Sequence, residues 1–198
     1  MASSLKPTEV SAFARLRRIL GDRVASGIRR EVHEGKDLSV SSIVATVGPA
    51  SEQLESLSPE ELVAVQENAQ LATQFLETFG SVIGGPIKGN WTLEDLDRSF
   101  QVWLEATDKH GFTDAAVTAI LGAAYGGYCV KHLSMHWLKV VDSHGISYAV
   151  RADSCDVRTY PLDVVAKRVS DREHGFFAAV FVVLKNSIAS AQHEKRDA

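Results

Sequence analysis

Cysteine is scarce in this chain. Cys129 and Cys155 are the only two in 198 residues, with no short-spaced partner. That excludes a disulfide framework and a cysteine-cluster metal site, and it favours reduced, buried thiols in a cytosolic protein. Long hydrophobic runs are lacking too: the longest, 115–130, is shorter than the roughly 20 residues needed to cross a bilayer. No apolar segment follows the N-terminus as a secretory signal would require. The opening MASSLKPTEVSAFARLRRIL has the Ser- and Arg-rich look of a transit peptide. Its pattern continues well past Leu20, however, and reads more simply as a folded basic helix. Positive charge is not in excess, with 21 Lys and Arg against 25 Asp and Glu and a net charge of −4. A chain-wide nucleic-acid binder would be strongly basic. Neither a nucleic acid nor a membrane is therefore expected as partner.

Catalytic signatures are missing as well. There is no G-x-S-x-G elbow, no dinucleotide fingerprint and no paired acidic motif on one helix face. The glycines of SVIGGPIKGN resemble a phosphate loop, but Lys88 is followed by Gly89, where the Walker pattern needs Ser or Thr. His132 and His136 have the spacing of a zincin pair, yet Leu133 stands where its catalytic Glu belongs. Cys155 could pair with a histidine as a nucleophile, but it lies on an expected inward strand face with no signature around it. A buried structural cysteine is the reading we adopt. No catalytic residue, metal or cofactor is expected from these patterns. Many sites lack a local motif, so enzyme activity is unsupported rather than excluded.

What is present is a regular alternation of helical and strand patterns. At 45% hydrophobic and 23% charged the composition is that of a folded protein. Its length fits one domain, read as 37–198, with a helical arm over 1–36. In the arm, Val10, Phe13, Leu16, Leu20, Val24, Ile28 and Val32 recur at helical steps beside a set of arginines. Such a helix packs on its own domain, forms a homodimer, or meets a membrane or partner groove. Residues 38–57 read as a linker with one short element, broken at Gly48-Pro49. Ser58-Pro59-Glu60-Glu61 is a helix start with a capping box. Leu62, Val65, Ala69, Ala72, Phe75, Leu76 and Phe79 are its expected buried face, and Gly80 its end. Thr92 opens the next helix and Thr113 a nearly all-apolar one to about His132, the expected central helix. Gly122 and Gly126 share a face of it, as glycines do where another backbone comes close.

From His136 the period changes to two. Residues 136–142 and 146–151 form a hairpin about Asp142–Gly145, and 155–160 a third strand. Pro161 opens a short helix whose Lys167 and Arg168 are expected to point away. A last helix runs from Phe176 to about Ala191, with a fraying tail from Gln192. The fold class is α+β: four or five helices packed on a small antiparallel meander of three or four strands.

Between 112 and 169 the pattern resembles a bacterial domain-of-unknown-function family, number 3806. The matching residues are Leu121-Gly122, Gly126, Trp137, Val140, Asp142, Gly145, Pro161 and Lys167-Arg168. The resemblance implies a small bacterial cytosolic protein and carries no activity or functional residues. Function is expected at the surface, with Trp137, Arg158, Tyr160, Lys167 and Arg168 as candidate binding residues of types favoured at interfaces. The acidic stretch 37–114 suits a basic protein partner, as in an immunity or antitoxin role. The alternative is an enzyme or small-ligand domain with a pocket between the Gly122/Gly126 helix and the sheet, and self-association through the arm is a third reading.

Overall fold

The computed structural model describes residues 45–46, 52–80, 91–142 and 145–197. The expected N-terminal helix, the expected loop over 81–90 and Ser143-His144 of the expected hairpin turn lie outside them. The described elements run β1 (Ala45–Thr46), β2 (Gln53–Ser56), α1 (Pro59–Phe79), α2 (Leu93–Glu105), α3 (Asp114–Leu133), β3 (Met135–Asp142), β4 (Gly145–Ala152), β5 (Val157–Thr159), α4 (Pro161–Asp171) and α5 (Phe177–Asp197). The five strands form an antiparallel sheet in the order β1-β5-β4-β3-β2. The architecture is α+β, and the meander is joined at either edge by a short strand from the stretch read as a linker.

Local chemistry sets the helix ends. Ser58 and Glu61 complete a reciprocal capping box at α1, with Ser58 N–H donating to Glu61 at 2.7 Å and Glu61 N–H to Ser58 Oγ at 3.2 Å. Thr92 and Asp95 do the same for α2. The start of α5 is satisfied from a distance: Asp97 on α2 accepts the backbone N–H groups of Phe177 at 2.9 Å and Ala178 at 3.1 Å. Burial raises the Asp97 pKa and those amide hydrogen bonds oppose the rise. The last helix does not fray at Gln192 but continues to Asp197, and Gln192 Nε2 donates to Ser154 Oγ at 2.7 Å.

The sheet has one face against the helices. Met135, Trp137, Tyr148, Val150, Ala152 and Val157 all belong to clusters that include helix residues. The central helix α3 is buried from Ala116 through Gly126, as its all-apolar pattern predicts. Gly122 and Gly126 mark the close approaches. A methyl group at Gly122 would lie 2.8 Å from Leu162 Cδ2 and 2.9 Å from its Cα, and one at Gly126 would penetrate the Trp137 indole. The first therefore receives α4 and the second receives β3. At the hairpin Asp142 Oδ1 accepts from Gly145 N–H at 3.0 Å, and Gly145 sits at φ 121°, a conformation open to glycine.

Two expected core positions were wrong, and one of them, Ala69, is only half-buried. Leu62 is exposed, and Ala64, Val65 and Asn68 carry the buried face of α1 at that end. It is Glu61 that turns toward the sheet, held there by Tyr148 Oη at 2.8 Å. Asn68 is tolerated in the core because its side-chain amide donates to the Ala64 carbonyl at 2.9 Å.

Candidate functional site

The structure separates the sequence-predicted binding residues. Trp137 is half-buried on the helix side, seated over Gly126. Arg158 is buried and its guanidinium pairs with Glu52 at 2.6 Å. Tyr160 borders the same pair, with its hydroxyl 3.5 Å from Glu52 Oε1. Arg168 does not point away: it is buried, paired with Glu173 and set over the Phe176 ring. An arginine near the C-terminus of an amphipathic helix can fold its stem onto apolar surface and keep its charge paired. Lys167 alone of the set is exposed.

The space between the Gly122/Gly126 face and its neighbours is filled by Trp137, Leu162 and Pro161. An open cleft of about 490 Å³ lies elsewhere, beyond the end of β4, lined by His136, Arg151, Asp153, Cys155, Asp156 and Lys195 among others. There His136 Nδ1 meets Asp153 Oδ1 at 2.5 Å and Arg151 meets Asp156 at 3.0 Å. His132 is engaged separately, its ring 4.1 Å from that of Tyr128. Among the described residues no group of three or more His, Cys, Asp or Glu side chains is placed to hold a metal ion. Cys129 is sealed in the core, where burial pushes its thiol up to about 12, while Cys155 is half-buried at the cleft.

A different surface stands out at the corner formed by β2 and the start of α1. β2 is an edge strand of the described sheet, and all four of its residues are exposed. Large apolar side chains left in water are few in the described chain, and most are here: Leu54 at 42%, Leu62 at 40%, Val63 at 44% and Ile146 at 49% exposure. The fifth, Val182, lies on α5. Register places Ile146 across Val141 from Gln53, on the helix side of the sheet, whereas Leu54 pairs with Val140 and faces the other side. Between 52 and 79 there are six glutamates, and no Lys or Arg. Lys139 reaches into the corner from β3, 3.0 Å from Glu55 and 3.8 Å from Glu61, and the hydrogen bond to Glu55 raises its pKa. Burial works against ionisation of Glu61. The Ser58 N–H, the Tyr148 hydroxyl and the Lys139 charge outweigh it and lower the Glu61 pKa.

Sequence reasoning found the acidic stretch but not this corner. QLES has one apolar residue and so no period-two signal, and an exposed leucine in a capped amphipathic helix looks the same as a buried one.

The family-like motif residues other than the exposed Lys167 are accounted for largely by packing. Gly122, Gly126, Trp137 and Pro161 form the α3 contact with β3 and α4, Asp142 and Gly145 form the hairpin, and Arg168 closes α4. Residues 101–181 match the family model described as Domain of unknown function (DUF3806). The DUF3806 region takes in the last residues of α2, the whole of α3 through α4, and the first residues of α5. It leaves out β1, β2 and α1, so the glutamate-rich part of the corner lies outside the DUF3806 match, while Lys139, Ile146 and Tyr148 lie within it. No curated protein and no solved structure matched the chain. Among the described residues no helix is long and apolar enough to cross a membrane.

Proposed function

We propose that this protein is a binding module that acts by contact rather than catalysis, docking a basic protein partner on the β2–α1 corner. The observation that carries this is the presence of three exposed large apolar side chains, Leu54, Leu62 and Val63, on a stretch rich in glutamate that has no Lys or Arg of its own. Monomeric surfaces scatter single apolar residues, whereas a cluster rimmed by polar groups marks an interaction site. The exposed apolar side chains supply the contact, and the glutamates steer a cationic partner toward it. A bacterial immunity or antitoxin role, in which an acidic surface masks a basic toxin, is the form of this reading that fits best. The cytosol is the compartment it implies.

Leu54, Val63 and Glu60 are exposed, so changing them leaves the core intact. Proteins retained by the immobilised chain in low salt are to be compared with those held by Leu54→Glu with Val63→Glu, and by Glu55→Lys with Glu60→Lys. One basic protein lost from both variants, and released from the original by raised salt, is the expected result. A retained set indifferent to both pairs of substitutions overturns the reading.

A second reading, small-ligand binding, is favoured by one feature: the His136–Asp153 pair opening into the cleft beside Cys155. A thermal-shift screen of small metabolites, with His136→Ala as control, tests it. Hits unaffected by that substitution reject the cleft as the site.

A further inference from the structure

The cleft beyond the end of β4 is assembled from three parts of the chain. His136 of β3 and Arg151 of β4 are register partners, so their side chains stand side by side on one face of the sheet. Asp153, Ser154 and Asp156 follow between β4 and β5. The C-terminal turns of α5 form the third wall. Gln192 Nε2 donates to Ser154 Oγ at 2.7 Å, and Lys195, one helical turn on and so on the same side of α5, is brought to the cleft.

Both carboxylates of the cleft are engaged. Asp153 Oδ1 holds His136 Nδ1 at 2.5 Å, and Asp156 Oδ1 lies 3.0 Å from Arg151 Nε. What is left open is on the donor side. Asp156 offsets the Arg151 charge but sits out of line with the Nε–H, and this buried Nε has no hydrogen-bond acceptor among the described residues. Ser154 Oγ accepts from Gln192, and its own O–H has only the Cys155 sulfur, 4.0 Å away, to donate to. Lys195 is exposed and pairs with no carboxylate among the described residues. Donors short of acceptors, two of them cationic, are complemented by an acceptor-rich anion. Asp153 and Asp156 balance the charges of Arg151 and Lys195, so selection is by hydrogen bonding rather than by net charge, and a bare anion should bind only weakly.

We propose that the cleft binds the oxyanion group, carboxylate or phosphate, of a small ligand, with Arg151 and Lys195 as its cationic contacts and the Ser154 hydroxyl as a further donor. This rests on the small-ligand reading of the cleft and names the chemistry of that ligand.

The test follows the melting temperature of the full chain titrated with inorganic phosphate and, separately, with succinate, each against sodium chloride of equal ionic strength. A rise with at least one of the two is expected, and which one responds tells phosphate from carboxylate. Arg151→Gln and Lys195→Gln should each weaken the apparent affinity roughly fivefold or more, as loss of one partly exposed charge-assisted contact would. Lys185→Gln, at an exposed lysine of the same helix outside the cleft, should not. Lys195 is exposed, so its variant decides the matter even if Arg151→Gln fails to fold. A rise that Lys195→Gln leaves unchanged, or one matched by chloride, overturns the proposal. A rise with the diamine putrescine instead, abolished by Asp153→Asn, overturns the oxyanion while keeping the cleft as a ligand site. No response to any of the three probes overturns the proposal, and the metabolite screen then decides separately whether the cleft binds anything.

Discussion

Gly122, Gly126 and Gly127 lie on adjacent turns of α3 but face different surroundings, and that makes them a sharp test of the packing. Around Gly127 nothing lies within 4 Å of where a methyl group would go. Gly127→Ala therefore only removes a flexible residue from a helix interior, worth about 1 kcal/mol of added stability. For a chain of this size that is a rise in Tm of about 2–4 °C. Gly122→Ala carries the same helix gain but sets a methyl group 2.9 Å from Leu162 Cα and 3.2 Å from its backbone N. Ordinary contact begins near 3.4 Å, and backbone atoms cannot rotate away, so the start of α4 must retreat by about 0.5 Å. Overpacking of this kind costs about 1–3 kcal/mol. The gap in unfolding free energy between the two variants isolates that cost, because the helix term cancels. Urea titration followed by circular dichroism measures it, and Gly126→Ala, which intrudes on Trp137, is expected to add a change in tryptophan fluorescence. If Gly122→Ala stabilises as much as Gly127→Ala, α4 does not rest on α3 at Leu162 and the account of these glycines fails.

Other outcomes follow from single groups. Glu61 has a lowered pKa in the fold, so it contributes stability above its unfolded value near 4.5, lost as pH falls through the lower folded value. Glu61→Gln should flatten the acid side of a stability–pH curve, and an unchanged acid limb would mean that its bonds to Ser58 and Tyr148 do not persist. Asp97 is shifted the other way, so its charge opposes folding above its unfolded value. Asp97→Asn keeps one of the two acceptors for the α5 amides and should cost less than Asp97→Ala, which should cost about 1–2 kcal/mol as a lost cap; equal losses in calorimetry would refute the capping role. Glu52→Gln strands the buried Arg158 charge and should cost about 3–5 kcal/mol. Adding Arg158→Met should recover most of it, and a double variant no better than the single would contradict a buried pair. Cys129 should resist a thiol reagent at pH 8 until the chain unfolds, with Cys155 reacting first; the reverse order in peptide mapping would place Cys129 at the surface.

Much of the fold is legible in the order of residues because its signals are local. Ser58-Pro59-Glu60-Glu61, Thr92 and Thr113 announce helix starts through hydrogen bonds closed within one turn. Asp142–Gly145 announces the hairpin in the same way, and the apolar density of α3 marks it as central. The features that escaped depend on partners far along the chain. β2 exists because β3 offers it an edge, and nothing in Gln53–Ser56 demands a strand. The buried state of Arg158 depends on the distant Glu52, that of Arg168 on Glu173 just past the end of its helix, and the continuation of α5 past Gln192 is accompanied by its bond to Ser154. Arginine at an exposed-looking helical position reads as surface until its carboxylate is seen.

The placement of β1 and β2 also bears on how the chain reaches this state. Glu52 meets Arg158 across a sequence separation of 106 residues, and Glu61 meets Tyr148 across 87. Both edges of the sheet are thus supplied by segments made long before its centre, with three helices between. Closing such loops costs entropy before the contacts repay it, and topologies rich in distant contacts fold slowly. During synthesis the two edge segments and α1 wait unpaired, with Leu54, Leu62 and Val63 in water, until β3 and β4 emerge. Cutting the gene at the DUF3806 limits of 101 and 181 would remove both edges and most of the covering of Phe112 by Phe75 and Phe79. The matched region is therefore a recognisable stretch of sequence that is expected not to fold alone, and a fragment meant to fold should begin upstream of Glu52.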